Sequence, residues 1–243
     1  MSLKFEFNNI DNLHKIIKKN KNEISCIVMD LCARYYPSNN YLQEVKELAQ
    51  KNKIILIFDE VVTGFRMHPG GAQSFFNVTP DLSCFGKGIA NGFPISALVG
   101  KKKYMVKANE LFYSLTFAGE TISLAAANAA LKEYKEKKLA INLETKGKYL
   151  IKLISEILKN HNLQDYFKTE GMPCRPIFSL NSLRLNPTKI DLINFDLIRN
   201  LAKKNILYNG SVFICKTHTF KNLKYFSEMF EETIVDIKKK FKL

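Results

Sequence analysis

The sequence lacks the features that mark secreted, membrane-spanning and metal-stabilised proteins. It has no tryptophan, and its five cysteines are odd in number and include no Cys-x-x-Cys pair among 243 residues. A disulfide framework and a zinc site are therefore disfavoured, and four scattered histidines add no metal spacing. No apolar run reaches the ~18 residues that cross a bilayer, and residues 1–7 lack the order of a signal peptide. We expect a cytoplasmic protein with no metal and no membrane partner.

Arginine is scarce although the chain is strongly basic. The formal net charge is +14, yet only five of the 37 basic residues are arginine and the rest are lysine. Nucleic-acid-binding proteins favour arginine for forked contacts to bases and phosphates, usually on one element that carries a motif. None of those motifs is present. The composition therefore favours a solvated lysine-rich surface that attracts anionic ligands over a nucleic-acid-binding function.

The order of apolar segments predicts an α/β fold. Continuous apolar runs at residues 25–29 and 54–58 alternate with helical patterns, the first of them behind a possible Asp11 cap. Such runs are typical of strands buried on both faces of a mostly parallel sheet with helices around it. The shorter segments predicted as strands are residues 82–85, 95–99, 176–180, 183–185 and 212–215.

The pattern changes at about Thr121, where a run of small residues predicts a helix that packs closely on its neighbour. Long helical patterns and short strands follow, which together indicate an α+β region. We therefore expect a large domain over residues 1–135 and a small C-terminal domain over residues 136–243.

The residues with the clearest chemical meaning follow two predicted strands. Asp59 directly follows the apolar run 54–58. Lys87 lies between two glycines shortly after residues 82–85. Ligands of open α/β sheets bind at the carboxyl ends of strands, and glycine permits close approach of the backbone. Pyridoxal phosphate chemistry needs a lysine that forms a Schiff base and then moves a proton, and a carboxylate that keeps the pyridine nitrogen protonated. Taken singly, Lys87 is more simply a surface charge and Asp59 a helix cap.

Consecutive sequence blocks resemble the class III pyridoxal-phosphate aminotransferases, and most of all the glutamate-1-semialdehyde 2,1-aminomutase branch. The order and spacing of the blocks match over nearly the whole chain. The resemblance implies fold type I, with a partial cofactor-binding large domain followed by the small domain. The blocks are Ile-Phe-Asp-Glu-Val-Val-Thr-Gly-Phe-Arg (57–66), Gly-Gly-Ala-Gln (70–73), Val-Thr-Pro-Asp-Leu (78–82), Phe-Gly-Lys-Gly-Ile-Ala-Asn-Gly-Phe-Pro (85–94) and Thr-Phe-Ala-Gly-Glu (116–120).

The resemblance also implies roles for individual residues. Lys87 matches the Schiff-base lysine, Asp59 the partner of the pyridine nitrogen, and Val61 a stiff side chain packed on the ring face. Thr116 matches the threonine that reaches the cofactor phosphate of the neighbouring subunit, so a homodimer is implied; the alternative for Thr116 is an N-cap of the small-residue helix. Glu60 and the nearby Arg66 match the motif without a chemical role, and we expect them to be structural.

The chain also departs from the family pattern. The resemblance places its start in the middle of the large domain, and we find no candidate for the family's phosphate-binding loop or ring-stacking aromatic. Asp30-Leu31 stands where relatives often have Glu-Pro, and Glu120 replaces a common asparagine. We therefore expect the C-terminal part of an enzyme, either a truncated product or one half of a split protein.

Three functional hypotheses follow. The first is an aminotransferase or aminomutase that uses pyridoxal 5'-phosphate, an amino donor and a carbonyl acceptor, as a homodimer or with a complementing N-terminal segment. The second is a non-catalytic remnant that serves as an assembly or interaction module. The third, nucleic-acid binding, rests on charge alone. The substrate stays open, since Arg34, Arg66 or Arg175 could hold its carboxylate.

Overall fold

The computed structural model describes residues 2–31, 34–112 and 115–243. The chain divides into two compact units, residues 1–140 and 141–243. The division falls near the start of helix α6, Leu139–Asn160. Each unit has buried apolar residues of its own.

The first unit is built on a four-stranded sheet in the order β1-β2-β3-β4. Strands β1 (Cys26–Asp30), β2 (Ile55–Asp59) and β3 (Leu82–Phe85) are parallel, and β4 (Ala97–Gly100) is antiparallel to β3. The mostly parallel sheet predicted from the apolar runs is confirmed. Because the three parallel strands run in one direction, their carboxyl ends meet at one edge of the sheet.

Five α-helices accompany this sheet in the described residues of the first unit. Helix α2 packs against α1 and β2, because apolar residues recur at helical spacing and bury one face of each helix. Helix α5 is the small-residue helix that the sequence predicted. The helices are α1 (Ile10–Lys19), α2 (Tyr41–Lys51), α3 (Gly71–Phe75), α4 (Lys102–Met105) and α5 (Thr121–Glu136).

Three expectations for the first unit were wrong in detail. The N-cap of α1 is Asn9, whose side chain accepts the Asn12 N–H at 3.0 Å, and Asp11 lies inside the first turn. Strand β1 is buried on one face only, since Val28 is 56% exposed while Met29 is buried. The strand expected at residues 95–99 begins at Ala97, because it pairs with β3 only from there onward.

The second unit is an α+β arrangement with an aromatic core. Strands β5 (Phe167–Met172) and β6 (Arg175–Leu180) form an antiparallel pair, accompanied by α6, α7 (Pro187–Lys203) and α8 (Phe220–Phe241). The rings of Phe178, Phe226 and Phe230 pack together with centroids 5.8–6.5 Å apart.

A tyrosine completes this core. The Tyr208 hydroxyl donates to the Phe178 carbonyl at 3.1 Å, and burial raises the pKa of Tyr208 well above its usual range.

Strand assignment failed in parts of the second unit. Residues 183–185 form a turn, and residues 212–215 are irregular beside a single bridge between Ser211 and Ile177. Strand β5 was missed because its sequence, Phe-Lys-Thr-Glu-Gly-Met, carries no apolar run, and Gly171 adopts a φ of +81° in it. Hairpin pairing with β6, rather than its own composition, makes this segment a strand.

The described residues contain neither a helix suited to a bilayer nor a metal-binding cluster. None of the helices there is long and apolar enough to cross a membrane. No group of three or more histidine, cysteine, aspartate or glutamate side chains is arranged there to hold a metal ion.

Candidate active site

The carboxyl ends of β1, β2 and β3 bring three polar side chains side by side. Asp30, Asp59 and Cys84 are register partners on neighbouring parallel strands, and such partners project from the same face of a sheet. Burial and the neighbouring Asp59 carboxylate raise the pKa of the Cys84 thiol. The carboxyl edge of the sheet therefore carries negative charge from two adjacent strands.

Asp59 is half-buried and held in place by its own loop. Its Oδ1 atom accepts a hydrogen bond from the backbone N–H of Val61 at 3.0 Å. Within the described ranges, no hydrogen bond or ion pair to Oδ2 is found. A fixed carboxylate with one open oxygen can pair with a protonated nitrogen of a ligand at this edge.

Lys87 stands at the same edge, just after β3. It is the first residue of a short 3₁₀ turn, Lys87–Ile89, and its backbone has a φ of +42°. A left-handed conformation is unfavourable for a residue with a side chain and persists only where the surroundings impose it. The Lys87 side chain is exposed, and its amine forms no hydrogen bond or ion pair with any residue that the structure describes.

Val61 joins the loops that carry Asp59 and Lys87. A Cβ atom placed on Gly86 would lie 3.5 Å from Cγ1 and 3.7 Å from Cγ2 of Val61, so the valine side chain covers the residue before Lys87. After the lysine, Ile89 and Ala90 pack with Phe85 and with Ala127 of α5. The structure therefore brings Asp59, Val61 and Lys87 together at one edge of the sheet.

Comparison with known proteins identifies the family of the chain. The family model for class-III aminotransferases matches residues 5–172. The chain belongs to the class-III aminotransferase family. It is 32% identical over 97% of its length to 3-aminobutyryl-CoA aminotransferase of Cloacimonas acidaminovorans. It is 34% identical over 91% of its length to glutamate-1-semialdehyde 2,1-aminomutase of Nitrosopumilus maritimus.

Solved structures show the fold. The chain superposes over 99% of its length on the FumI protein of Sphingopyxis sp. MTA144 in its PLP internal aldimine form, with a TM-score of 0.89 and 20% identity. The expected fold type I is confirmed. The chain spans 58% of that structure, and 58% and 56% of the two curated relatives.

Thr116, the fourth residue implied by the family resemblance, lies in a different setting. It is exposed in a turn over residues 116–119, between the exposed side chains of Leu115 and Phe117. In the parts of the chain described, no hydrogen bond links it to Asp59 or Lys87. The alternative of an N-cap is wrong, because the Glu120 carboxylate caps α5 by accepting the N–H groups of Ile122 and Ser123.

Glu60 is structural, as expected, but the extent of its contacts could not be read from the sequence. The side chain is completely buried, and its carboxylate accepts hydrogen bonds from Thr63 and from the first turn of α3. The family block at residues 70–73 was the only sequence signal for the contact between Glu60 and the first turn of α3. That block does not show which residue the segment contacts. Desolvation by burial raises the pKa of Glu60.

The three arginines considered as carboxylate-binding residues are placed differently. Arg34 lines a groove of about 310 Å³ together with Asp30 at the carboxyl edge. Arg66 is half-buried in the loop that follows β2. In the second unit, the Arg175 guanidinium lies 4.8 Å from the centre of the Phe213 ring.

Proposed function

We propose that this chain carries the lysine and the carboxylate of a pyridoxal-phosphate-dependent aminotransferase or aminomutase. The observation that supports this most is the exposed Lys87 amine on a left-handed backbone, at the same sheet edge as the fixed Asp59 carboxylate. An amine, a carboxylate and an apolar side chain from Val61 fit the aldehyde, the pyridine nitrogen and the ring face of that cofactor. When bound, pyridoxal phosphate supplies an electron sink for the substrate carbon that loses a proton.

Each residue has a distinct task in this proposal. Lys87 Nζ would be the covalent anchor for the cofactor aldehyde, and as a free amine it would move a proton between the substrate carbon and a cofactor carbon. Asp59 Oδ2 holds a proton on the ring nitrogen through a charge-assisted hydrogen bond. Val61 packs on the ring and keeps water from that face.

The proposal extends to partners and compartment. The substrates are an amino donor and a carbonyl acceptor, and the residues do not distinguish transfer from mutase chemistry. Thr116 contributes to the phosphate site of a second copy in a homodimer. The alternative partner is a complementing N-terminal segment that completes residues 1–135 as the cofactor-binding domain, with residues 136–243 as the small domain. Free cysteines Cys26, Cys84, Cys174 and Cys215 support a cytoplasmic location.

The experiment is reductive trapping on the purified 243-residue chain. Pyridoxal phosphate is added, the mixture is reduced with borohydride, and the modified peptide is identified by mass spectrometry. We expect the adduct on Lys87, and its loss in Lys87→Ala with little change in unfolding free energy because the side chain is exposed. The matched control, Lys132→Ala, changes another exposed lysine of the same unit and should leave the adduct in place. Modification of other lysines with Lys87 untouched would favour the non-catalytic alternative.

A further inference from the structure

The Glu60 carboxylate connects two segments that are separate in sequence. Its Oε2 atom accepts the Ala72 N–H at 2.7 Å and the Thr63 hydroxyl, and its Oε1 atom accepts the Gln73 N–H at 2.7 Å. A Cβ atom on Gly71, which has a φ of +80°, would stand 2.6 Å from Oε1. The loop after β2 and the start of α3 are therefore closed tightly around one buried carboxylate.

The backbone of Glu60 extends this connection to the strand that precedes the lysine. Its N–H donates to the Cys84 carbonyl at 2.9 Å, and its carbonyl accepts the Gly64 N–H at 2.7 Å. The residue thus fixes the end of β3 and the loop of residues 61–65 at the same time. These two bonds are made by the backbone, whereas the fully buried carboxylate is costly unless its own hydrogen bonds are made. Its bonds to Thr63, Ala72 and Gln73 therefore hold the side chain, and with it the loop, in one conformation.

The 61–65 loop is the surface on which the Lys87 turn rests. Val61 covers Gly86, as described above. On the other side of the lysine, a Cβ atom on Gly88 would lie 3.3 Å from the Gly64 carbonyl oxygen and 3.6 Å from Phe65 Cβ. Both neighbours of Lys87 are therefore packed against the loop that Glu60 holds, and this packing maintains the unfavourable backbone angle of the lysine.

We propose that Glu60 is a positioning residue for Lys87. Its carboxylate fixes the 61–65 loop, and that loop holds the Lys87 turn in the conformation that presents the amine at the carboxyl edge. The inference deepens the proposed function, and it rests on that function only for what the amine does once it is positioned.

Hydrogen exchange of the full chain tests the positioning without any cofactor. The turn is closed by the Ile89 N–H donating to the Gly86 carbonyl and by the Asn91 N–H donating to the Lys87 carbonyl. In Glu60→Gln, the side-chain amide cannot accept both backbone N–H groups, and we expect these two amides to exchange at least about ten-fold faster. The rate of borohydride-trapped adduct formation on Lys87 should fall with them.

The controls separate positioning from general loss of stability. Asp81→Asn changes another buried carboxylate of the first unit, one that accepts the Leu56 N–H and pairs with Lys101. If Asp81→Asn lowers the unfolding free energy as much as Glu60→Gln does, it should still leave the amides of residues 86–91 protected from exchange. Thr63→Ser keeps the hydroxyl donor to Glu60 and should retain protection, whereas Thr63→Val removes it and should loosen the turn.

The hydrogen-exchange results either support or overturn the positioning role of Glu60. Faster exchange at Ile89 and Asn91 in Glu60→Gln, absent from Asp81→Asn, supports the proposal. Equal exchange in the two variants overturns it. If Glu60→Gln does not fold, Thr63→Val against Thr63→Ser provides the same comparison, and equal exchange there overturns it too. Failure to trap any adduct on Lys87 in the unaltered chain contradicts the proposed function, while the exchange result still decides the role of Glu60.

Discussion

Two regions that the family resemblance assigns to one cofactor site are built in opposite ways. The loops that carry Asp59 and Lys87, residues 60–66 and 86–91 (the packed loops), are fixed by a buried carboxylate and by contacts between loop backbones. The region around Thr116, described residues 111–112 and 115–120 (the exposed segment), presents Leu111, Phe112, Leu115 and Phe117 to solvent, and Phe112 is 97% exposed.

The difference indicates which functions the chain can supply by itself. The packed loops hold the lysine and the carboxylate through contacts made within this chain. The exposed segment has apolar side chains without enough contacts to bury them, which is typical of a surface that another polypeptide covers. We therefore expect changes in the packed loops to alter stability and chemistry, and changes in the exposed segment to alter association.

A matched pair of glycine substitutions should give the largest difference in unfolding free energy between the two regions. Both Gly71 and Gly119 have a positive φ, of +80° and +72°, but an added Cβ meets the Glu60 carboxylate at Gly71 and nothing within 4 Å at Gly119. Gly71→Ala should cost about 3–5 kcal/mol, from backbone strain and displaced buried hydrogen bonds. Gly119→Ala should cost about 1–2 kcal/mol from strain alone. Urea unfolding measures both, and equal losses would contradict the contrast.

Asp59→Asn tests the chemical importance of the packed loops. A neutral amide no longer favours a protonated ring nitrogen, so turnover in an assembly that transaminates should fall about 100-fold or more. Cofactor attachment at Lys87 should persist. Asp30→Asn removes a charge from the neighbouring register position and is the control; if it lowered turnover as much, general loss of negative charge would explain the effect. Single-turnover kinetics separates attachment from transfer.

The exposed segment should control association instead. Phe112→Ser and Phe117→Ser each remove an exposed ring, and we expect each to weaken self-association about ten-fold, because an aromatic side chain loses about 1–3 kcal/mol of burial. Unfolding free energy of the monomer should not fall. Leu183→Ser is the control, since Leu183 is 85% exposed in the second unit. Sedimentation velocity over a concentration series measures the effect, and equal weakening by the control would argue against this surface.

The smallest expected effect is a difference in pH dependence between the glutamates of the two regions. Burial raises the pKa of Glu60 above its ordinary value of 4.5, whereas hydrogen bonds from Ser123 lower the pKa of Glu120 below the same value. Compared with the unfolded chain, the folded state therefore makes Glu60 harder to ionise and Glu120 easier to ionise. The stability contribution of Glu60 is full below pH 4.5 and is lost as the pH rises through its folded pKa. The contribution of Glu120 is present above pH 4.5 and is lost as the pH falls through its folded pKa.

Thermal unfolding against pH checks these signs. The Tm difference between the unaltered chain and Glu60→Gln should shrink as the pH rises above 4.5, and the difference from Glu120→Gln should shrink as the pH falls below 4.5. If the two Tm differences changed with pH in the same direction, the opposite pKa shifts of Glu60 and Glu120 would be contradicted.

The sheet and the packed loops were readable from sequence because local signals agreed. The apolar run before Asp59 is a strong strand signal, and the shorter segment 82–85 before Lys87 is a weaker one. Parallel strands then place their carboxyl ends together without further information. The glycines around Lys87 indicated close backbone contact, and the structure places Gly86 and Gly88 against the 61–65 loop.

The remainder depended on contacts that are distant in sequence. Nothing local connects Glu60 with Ala72 and Gln73, because the link forms only when α3 lies at the end of β2. Strand β5 has no apolar run and exists through pairing with β6. The cap of α5 was assigned to Thr116 as an alternative, yet the cap is Glu120, which lies next to the helix and whose carboxylate accepts the Ser123 N–H.

The most direct test of the central claim compares two ligands on the isolated chain. Pyridoxal and pyridoxal phosphate share the aldehyde, ring and nitrogen that the packed loops are proposed to bind, and they differ only in the phosphate. Thr116 is the only residue that the family resemblance assigns to the phosphate, and one charge-assisted hydrogen bond contributes about 1.5–3 kcal/mol. Titration followed by visible absorption should therefore give dissociation constants that differ by no more than about 200-fold. A preference for pyridoxal phosphate above about 1,000-fold would show that this chain alone forms a complete phosphate site and would contradict the account.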